Sequence, residues 1–394
     1  MHKAAAAVHA MSFHGFIDDV TGFILLAFLH RATARLGDPL SASRPRRVKS
    51  HAAIDNGGPA AYIGSPIIRA MIQASDTEFH PRDPADRVWT ETTYVAFNVP
   101  EAALHGTLYV LARPNLGVAM SSVVVARGIV RRPHEVDFCD PQIHLPCPAS
   151  YSEFTLPNGL SVQARSLTDW RFRYEHKLGA CSFDLSLAGL HHPYDPTDPR
   201  ENPMAAHAAH DPRVGDAWSH GHFDLKARIT GTLTVRGKRY DVDCHEGMDR
   251  SWGPRNETPD RASCYISVNF GPSLSMWLTM TLDVLPSGEV RYEKVNSGFL
   301  VENGTVIPVV EAQVTATTVD MLAIGDHIVV KDGRGRTHEF FGSAIGTRPM
   351  GSINPSIAAF VSLMRYQYQG LTGHGGHGKL FGLNYLAQRL ARTE

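Results

Sequence analysis

An acid, two guanidiniums and an indole fall within eight residues at Met248-Asp249-Arg250-Ser251-Trp252-Gly253-Pro254-Arg255. A carboxyl whose pKa is raised by burial can give up a proton near neutral pH, and an indole face can stabilise a cation. Guanidiniums beside them can orient the carboxyl or a substrate oxygen. A structural corner uses the same residue types, with Asp249 ion-paired to Arg250 or Arg255 and Trp252 packed in a core. The two readings differ in whether Asp249 points into a cavity or pairs with an arginine.

The element that must carry this run is a strand. Phe223, Leu225, Ala227, Ile229, Leu233 and Val235 alternate with Asp224, Lys226, Arg228 and Thr234, the period of a half-buried strand. Arg236-Gly237-Lys238 supplies a turn, and Tyr240, Val242 and Cys244 continue on a returning strand. On this reading Asp249 to Arg255 sits at the mouth of a hairpin.

Beyond Asp83 the period of two persists for most of the chain. Strands are expected at 88–98, 106–112, 117–128, 150–155, 160–164, 168–175 and 180–189, then at 222–235, 239–245, 263–270, 274–285, 289–294, 296–301, 305–310, 326–331 and 335–342. Between the two series, His191 to His220 is interrupted by Pro193, Pro196, Pro199, Pro203 and Pro212, and is read as a connection with the domain boundary at its end. Two sets of about eight short strands fit two antiparallel barrels or two sandwiches, and the residues do not separate these. Helices are expected at 12–36, after the cap Ser65-Pro66, at Ser356 to Tyr366 and at Leu380 to Arg392. The expected units are a helical extension and linker (1–80), a first β unit (81–221), a second (222–350) and a helical C-terminal segment (351–394).

Asp249-x-x-Trp252-Gly253 after a Gly-containing hairpin resembles the tandem-lipocalin group related to carotenoid 1,2-hydratase (hydroxyneurosporene synthase) and to AttH-like proteins. Trp89-Thr90-Glu91-Thr92-Thr93-Tyr94 followed by Arg113-Pro114-Asn115-Leu116-Gly117 is similar to the opening strands of the first barrel in that group. The two regions span residues 85 to 345. The resemblance implies a mainly β fold of two lipocalin-like antiparallel barrels with N- and C-terminal helical extensions. It also implies hydration or dehydration of a hydrophobic isoprenoid or related alkene, without a cofactor. In the group's usual Asp-His-x-Trp-Gly pattern the second residue is histidine. Here it is Arg250, which stays protonated and cannot serve as a base.

Adding water to an unactivated double bond requires an acid beside an apolar pocket, an electron-rich face for the carbocation and a positioned water. The expected catalytic residues are Asp249 as proton donor, Trp252 facing the cation and Arg250 as orienting group. Arg255, Tyr265, Trp277, His245 and Tyr94 are expected around the substrate. Isomerisation or cyclisation would begin with the same protonation, and a carrier of hydrophobic ligands is the non-catalytic alternative. Tyr265, Trp277, Tyr94 and Trp89 are equally what a core would use. Phase against Cys244 turns His245 outward, and Glu246 is held in reserve beside it.

Composition sets the remaining bounds. The 394 residues carry 38 Lys plus Arg against 39 Asp plus Glu, so the net charge of −1 provides no attraction to nucleic acid. The expected partner is a small hydrophobic molecule, and homo-oligomerisation stays open. The apolar run Phe23 to Leu29 is too short to span a bilayer and reads as an amphipathic helix, with a peripheral membrane contact as the second reading. Five cysteines without Cys-x-x-Cys spacing read as small buried residues of a reducing, cytoplasmic protein. His220-Gly221-His222 can present two imidazoles from one face, but spacing supplies no further ligand and no metal is expected. Gly373-His374-Gly375-Gly376-His377-Gly378 lacks the context of a phosphate loop and, by the same resemblance, is expected to close the second barrel. No nucleophile elbow, His-Glu-x-x-His helix or dinucleotide fingerprint occurs, which leaves hydrolase and dehydrogenase readings without support.

Overall fold

A computed structural model of the protein describes residues 72–208, 220–255, 262–350 and 356–391. The helix expected at 12–36, the run Phe23 to Leu29 and nearly all of the helix after Ser65-Pro66 lie outside the described residues. The fold is mainly β. The first strands are β1 (Trp89–Val99), β2 (Leu104–Arg113), β3 (Val118–Arg127), β4 (Phe138–Pro146), β5 (Glu153–Thr155), β6 (Leu160–Ala164), β7 (Asp169–Glu175) and β8 (Cys181–Gly189). They are followed by β9 (Gly221–Val235), β10 (Lys238–Pro254), β11 (Ala262–Asn269), β12 (Ser275–Val284), β13 (Val290–Glu302) and β14 (Thr305–Val319). The last four are β15 (Leu322–Asp332), β16 (Thr337–Met350), β17 (Ile357–Tyr368) and β18 (Leu371–Gly382), after which a helix α1 (Leu383–Arg389) begins.

Strands β1 to β10 make one antiparallel sheet in the order β4-β3-β2-β1-β10-β9-β8-β7-β6-β5, and β11 to β18 close an eight-stranded barrel. The division between the two therefore falls after β10. The boundary expected at 221/222 is corrected accordingly, because β9 pairs with β8 from Cys181↔Val235 to Gly189↔Ala227 and β10 pairs with β1 from Trp89↔Pro254 to Val95↔Met248. The sheet curls so that its edges meet through side chains. Asp140 of β4 accepts from Tyr174 OH of β7 at 2.6 Å and from Asn158 Nδ2 at 3.2 Å.

Three sequence expectations change. β10 does not stop at 245: it runs 17 residues through the Asp249 motif, paired on both sides, so the motif lies in mid-sheet and not at a hairpin mouth. β4 was not expected, since Pro141 and Pro146 interrupt its pattern. It bonds only to β3, and an edge strand tolerates residues without a donor. The segment 356–366, expected as a helix, is strand β17, whose twelve residues pair with β18. Barrel closure offers it ladder partners on both sides, which outweighs a weak local propensity. The expected Gly-rich closure is realised: β18 pairs with β17 and, through Tyr265↔Gly378 and Ile266↔His377, with β11.

The alternation read in β9 sets the inside of the sheet. Phe223, Leu225, Ala227, Ile229, Leu233 and Val235 join one apolar core with Met248 and Trp252 of β10, while Met276, Leu278, Phe340, Met364 and Phe381 belong to the core of the barrel. Within the first core, Arg250 Nη2 meets Glu91 Oε2 at 2.6 Å with both side chains wholly buried. Its guanidinium lies 3.9 Å from the Tyr151 ring centre, and Nη2 also donates to Glu78 O at 2.9 Å. Glu91 in turn accepts from His80 N at 2.9 Å, and the His80 ring stacks on Trp252 at 3.9 Å. The pair thus pins the residues preceding β1 to the inside of the sheet. Sheet and barrel are themselves joined by backbone: Thr347 N donates to Gly128 O at 2.9 Å and Val130 N to Thr347 O at 3.0 Å.

Burial works against ionisation of Glu91, but the His80 hydrogen bond and the Arg250 charge outweigh it and hold its pKa below the ordinary value. Glu78 is held at about 2, burial again being outweighed, here by the Tyr151 amide and the Ser150 and Ser152 hydroxyls. Folded pKa values below the unfolded ones stabilise the protein above pH about 4.5, and that contribution is lost as pH falls through the folded values. Acid titration of stability should show this loss, and Glu78→Gln should flatten the part between pH about 4.5 and about 2. Arg250→Met should cost about 3–5 kcal/mol in urea unfolding, because it strands a buried carboxylate, and Glu91→Leu in the same chain should restore most of that loss.

Candidate active site

The outer face of the first sheet is laid out by the same alternation. With Arg250 and Trp252 turned inward, Asp249 and Ser251 point the other way. Cross-strand registry then sets Tyr94, Asp249 and Asp224 in one row across β1, β10 and β9, and Thr92, Ser251 and His222 in the next. Neighbours in such a row have Cβ atoms about 4.5–5.5 Å apart. Thr92 Oγ1 and Ser251 Oγ share a hydrogen bond of 2.6 Å, Arg255 Nη2 donates to Ser251 Oγ at 2.7 Å, and His222 Nε2 lies 3.0 Å from Asp224 Oδ1.

The barrel covers this face with β11 and β12. Tyr265 OH and Tyr94 OH share a hydrogen bond of 2.6 Å across the junction. The Tyr265 ring stacks on Trp277 at 5.4 Å with 10° between the planes. Glycine makes the stack fit: a Cβ on Gly378 would overlap the Tyr265 ring, and one on Gly247 would come within 3.1 Å of Trp277 Cζ3. Beside the stack, Lys226 Nζ sits 5.5 Å from the Trp277 ring centre and donates to Ser267 Oγ at 2.5 Å. Ser267 Oγ donates to Glu246 Oε2 at 2.7 Å, and Asn98 Nδ2 donates to Glu246 Oε1 at 3.1 Å.

The electrostatics single out Asp249. Among the described residues its carboxyl has no hydrogen-bond partner. Burial raises its pKa to about 6, with the Asp224 charge adding to the rise and His222 and Arg255 opposing it. Burial also lowers Lys226 to about 8 and raises Glu246, although Lys226 partly offsets the latter. Tyr265 is pushed to about 12 and Tyr94 well above its ordinary value, both by burial first, so the phenols stay protonated. Trp277 Nε1 and Asp224 Oδ2 are buried without partners, and such groups mark places where a polar ligand atom or water can bind.

The expected site residues divide accordingly. Asp249, Arg255, Tyr265, Trp277 and Tyr94 come together at the junction. Arg250 and Trp252 do not: they lie on the opposite face, in the core of the sheet, and neither orients Asp249 nor faces it. His245 is half-buried on the outer face opposite Arg228, with burial lowering its pKa. The reserve residue Glu246 is wholly inside the junction. β1 and β10 cease to pair after Val95↔Met248, two residues from Glu246.

Asp224, Lys226, Asn98 and Ser267 were not expected here. On the sequence, Asp224 and Lys226 occupy the alternate positions of a half-buried strand and read as solvated, and only the docked barrel buries them. His222 was weighed with His220 as an imidazole pair on one strand face, with no metal expected. It pairs with Asp224, and the described residues include no group of three or more His, Cys, Asp and Glu placed to hold an ion. All five cysteines are free thiols: Cys181, Cys244 and Cys264 are buried and Cys139 is exposed.

The family model described as domain of unknown function DUF7064 matches residues 73–378, and the chain belongs to that family. No curated protein matches the sequence significantly. Among solved structures, the AttH-like protein of Nitrosomonas europaea superposes with a TM-score of 0.53 at 11% identity, over 80% of this chain and 98% of that one. Kievitone hydratase from Nectria haematococca gives 0.46 at 8% identity, over 75% and 90% of the two chains. CghA with Sch210972 gives 0.42 at 11%, over 75% and 89%. The first of these likenesses establishes a shared lipocalin-type fold and nothing about reaction.

The Asp249 carboxyl should titrate near pH 6 in carbon-detected NMR of the side chain. Arg255→Met should move that midpoint upward, since it removes a positive charge that favours the carboxylate. A midpoint near 4, unmoved by the substitution, would refute the placement.

Proposed function

We propose that this member of the DUF7064 family is a hydro-lyase that hydrates or dehydrates a small hydrophobic alkene or alcohol of isoprenoid type, with Asp249 as the proton donor. The observation that supports this best is the Asp249 carboxyl itself, without a hydrogen-bond partner among the described residues and raised to about 6 beside the Tyr265–Trp277 stack. A carboxylic acid with that pKa holds its proton over part of the neutral range and gives it up readily. In the hydration direction the proton passes from Asp249 to one carbon of the double bond, leaving the other as a cation. The aromatic faces of Trp277 and Tyr265 stabilise that centre, the role the sequence had assigned to Trp252. Water then adds to the cation and loses a proton to the Asp249 carboxylate, which restores the acid. Trp277 Nε1, buried without a partner, and the Tyr94 hydroxyl are available to the substrate or water oxygen. Arg255 acts through Ser251 and its charge, restraining the rise of the Asp249 pKa. Every step uses only a proton and water, so the proposed reaction needs no cofactor.

A double-bond isomerase or cyclase would share the first step and differ in the fate of the cation, which would lose a proton from carbon or be attacked by a second double bond. The labels in the product separate these outcomes. Purified protein is incubated with acyclic and cyclic terpenoid alkenes and alcohols in deuterated, oxygen-18 water, beside Asp249→Asn. Entry of both labels, with a loss of about 10²-fold or more in the variant, is expected. Deuterium without oxygen-18 would make the protein an isomerase or cyclase. Ligand binding with neither label entering would make it a carrier. Because the acid must carry its proton, kcat/KM should be level below pH about 6 and fall up to tenfold per unit above it. A profile that instead rises through pH 6 would assign Asp249 the role of a base.

A further inference from the structure

The barrel is sealed unevenly between β13 and β14. These strands pair only from Phe299↔Pro308 to Glu302↔Thr305. Beyond that, β13 stays paired with β12 as far as Val290 and β14 with β15 as far as Val319, but not with each other. Strands that part in this way leave a slot in the barrel wall with unpaired backbone on its rims. One rim is capped at a single point, where Asn202 Nδ2 donates to Asn296 O at 3.0 Å.

The slot uncovers the inner face of β14. Ala312, Val314 and Ala316 stand opposite Val330, Ile328 and Asp326 of β15, and so face the lumen. All three are half-buried, as is Thr318, whereas Ile328 and Val330 across from them are fully buried. Tyr292 and Val295 on the β13 rim are likewise only partly covered. A largely apolar groove therefore leads from the slot into the barrel.

A cation reaches the same place from the opposite wall. Lys379 of β18 stands opposite Cys264 of β11 and Phe360 of β17, side chains that belong to or pack on the barrel core. β18 and β14 are four strands apart in the eight-stranded barrel, and Lys379 Nζ crosses the lumen to donate to Thr318 Oγ1 at 3.3 Å. Among the described residues that is the one hydrogen bond its ammonium makes, and no carboxylate lies within ion-pairing reach of it. Asp326 acts on it from further off, with its oxygens taken up by His377 Nδ1 and Tyr366 OH. Burial lowers Lys379 to about 8 and raises the Cys264 thiol to about 12, so at pH 7 the lysine is charged and the thiol is not. An ammonium has three donors to satisfy. One that is wholly buried with a single long bond is unfavourable until a further acceptor is supplied.

We propose that this groove is a second ligand site, for an elongated hydrophobic molecule ending in a carboxylate, with its chain along Ala312, Val314 and Ala316 and its carboxylate on Lys379 Nζ and Thr318 Oγ1. The apolar wall suits the chain, and the under-bonded ammonium selects the negative end. The head group reaches Lys379 past Thr318, whose half-exposed hydroxyl turns from accepting the ammonium to donating to the carboxylate. The inference is independent of the reaction assigned to Asp249, because that site lies against the outer face of β11 and β12 and this one lies inside the barrel.

The test is calorimetry on the whole chain with dodecanoate, dodecanol and methyl dodecanoate. Dodecanoate should bind about tenfold or more tightly than the alcohol or the ester, the effect of a hydrogen bond to a charged group. Lys379→Met should remove that preference by weakening dodecanoate alone. Ala316→Phe fills the half-exposed groove and should weaken all three ligands severalfold, which keeps the test decisive if Lys379→Met does not fold. Asp249→Asn should bind dodecanoate as the parent does. Absence of dodecanoate binding, equal affinity for acid and alcohol, or dodecanoate binding unchanged in Ala316→Phe would overturn the proposal, the last by placing the ligand outside the barrel.

Discussion

The buried contact between Arg250 and Glu91 is the constraint on which the rest of the structure depends. It lies between adjacent strands in the middle of the ten-stranded sheet and points into the core. A strand alternates faces, so committing Arg250 to the inside commits Asp249 to the outside. The same pair gathers His80, Trp252 and Tyr151 around it and ties down the chain ahead of β1. Losing either partner leaves a charge in an apolar interior, which is why the pair acts as a register lock and is not merely one contact among many.

The outer face gains its chemistry from what docks on it. Asp249, Asp224, His222 and Lys226 on a free sheet would be ordinary solvated residues. Under β11 and β12 they lose water, and desolvation becomes the largest influence on Asp249, Lys226 and Glu246 alike. The cover is close because glycines let it be so. Gly378 of β18 and Gly247 of β10 leave space that the Tyr265 and Trp277 rings fill. The backbone bonds between Thr347 and the chain after β3 hold the two bodies in register for that contact.

Buried polar groups in this protein fall into two kinds. One kind is fully engaged, as in the barrel, where Asp326 accepts from His377 Nδ1 and Tyr366 OH and His377 Nε2 meets Tyr292 OH at 3.0 Å. Such closed networks specify packing. The other kind is left open, as at Trp277 Nε1, Asp224 Oδ2, His105 and Ser362 Oγ along the junction, and at Arg250 Nε inside the sheet. Open valences on an internal surface are what a binding or reacting site requires.

Much of the fold was legible in the chain. Alternation from Phe223 to Val235, the turn at Arg236-Gly237 and the strand starts at Trp89 and Leu160 are local properties of the residues, and they survive folding because each strand buries one face. Asp249 was legible too, as a carboxyl in a dense motif. What could not be read was direction and company. Arg250 and Trp252 are neighbours of Asp249 along the chain and face away from it, a consequence of β10 continuing where a turn was expected. Trp277, 28 positions after Asp249, lies at the junction where Trp252 was expected because β12 runs across it. β17 follows its ladder partners where its own mixed composition decides neither helix nor strand. The sequence by itself determined the strand period, the inward and outward sets of each strand and the presence of an acid among aromatics. Only the tertiary structure decided which face the barrel would cover, and hence which charges would be desolvated, because burial is a property of contacts between segments distant in the chain.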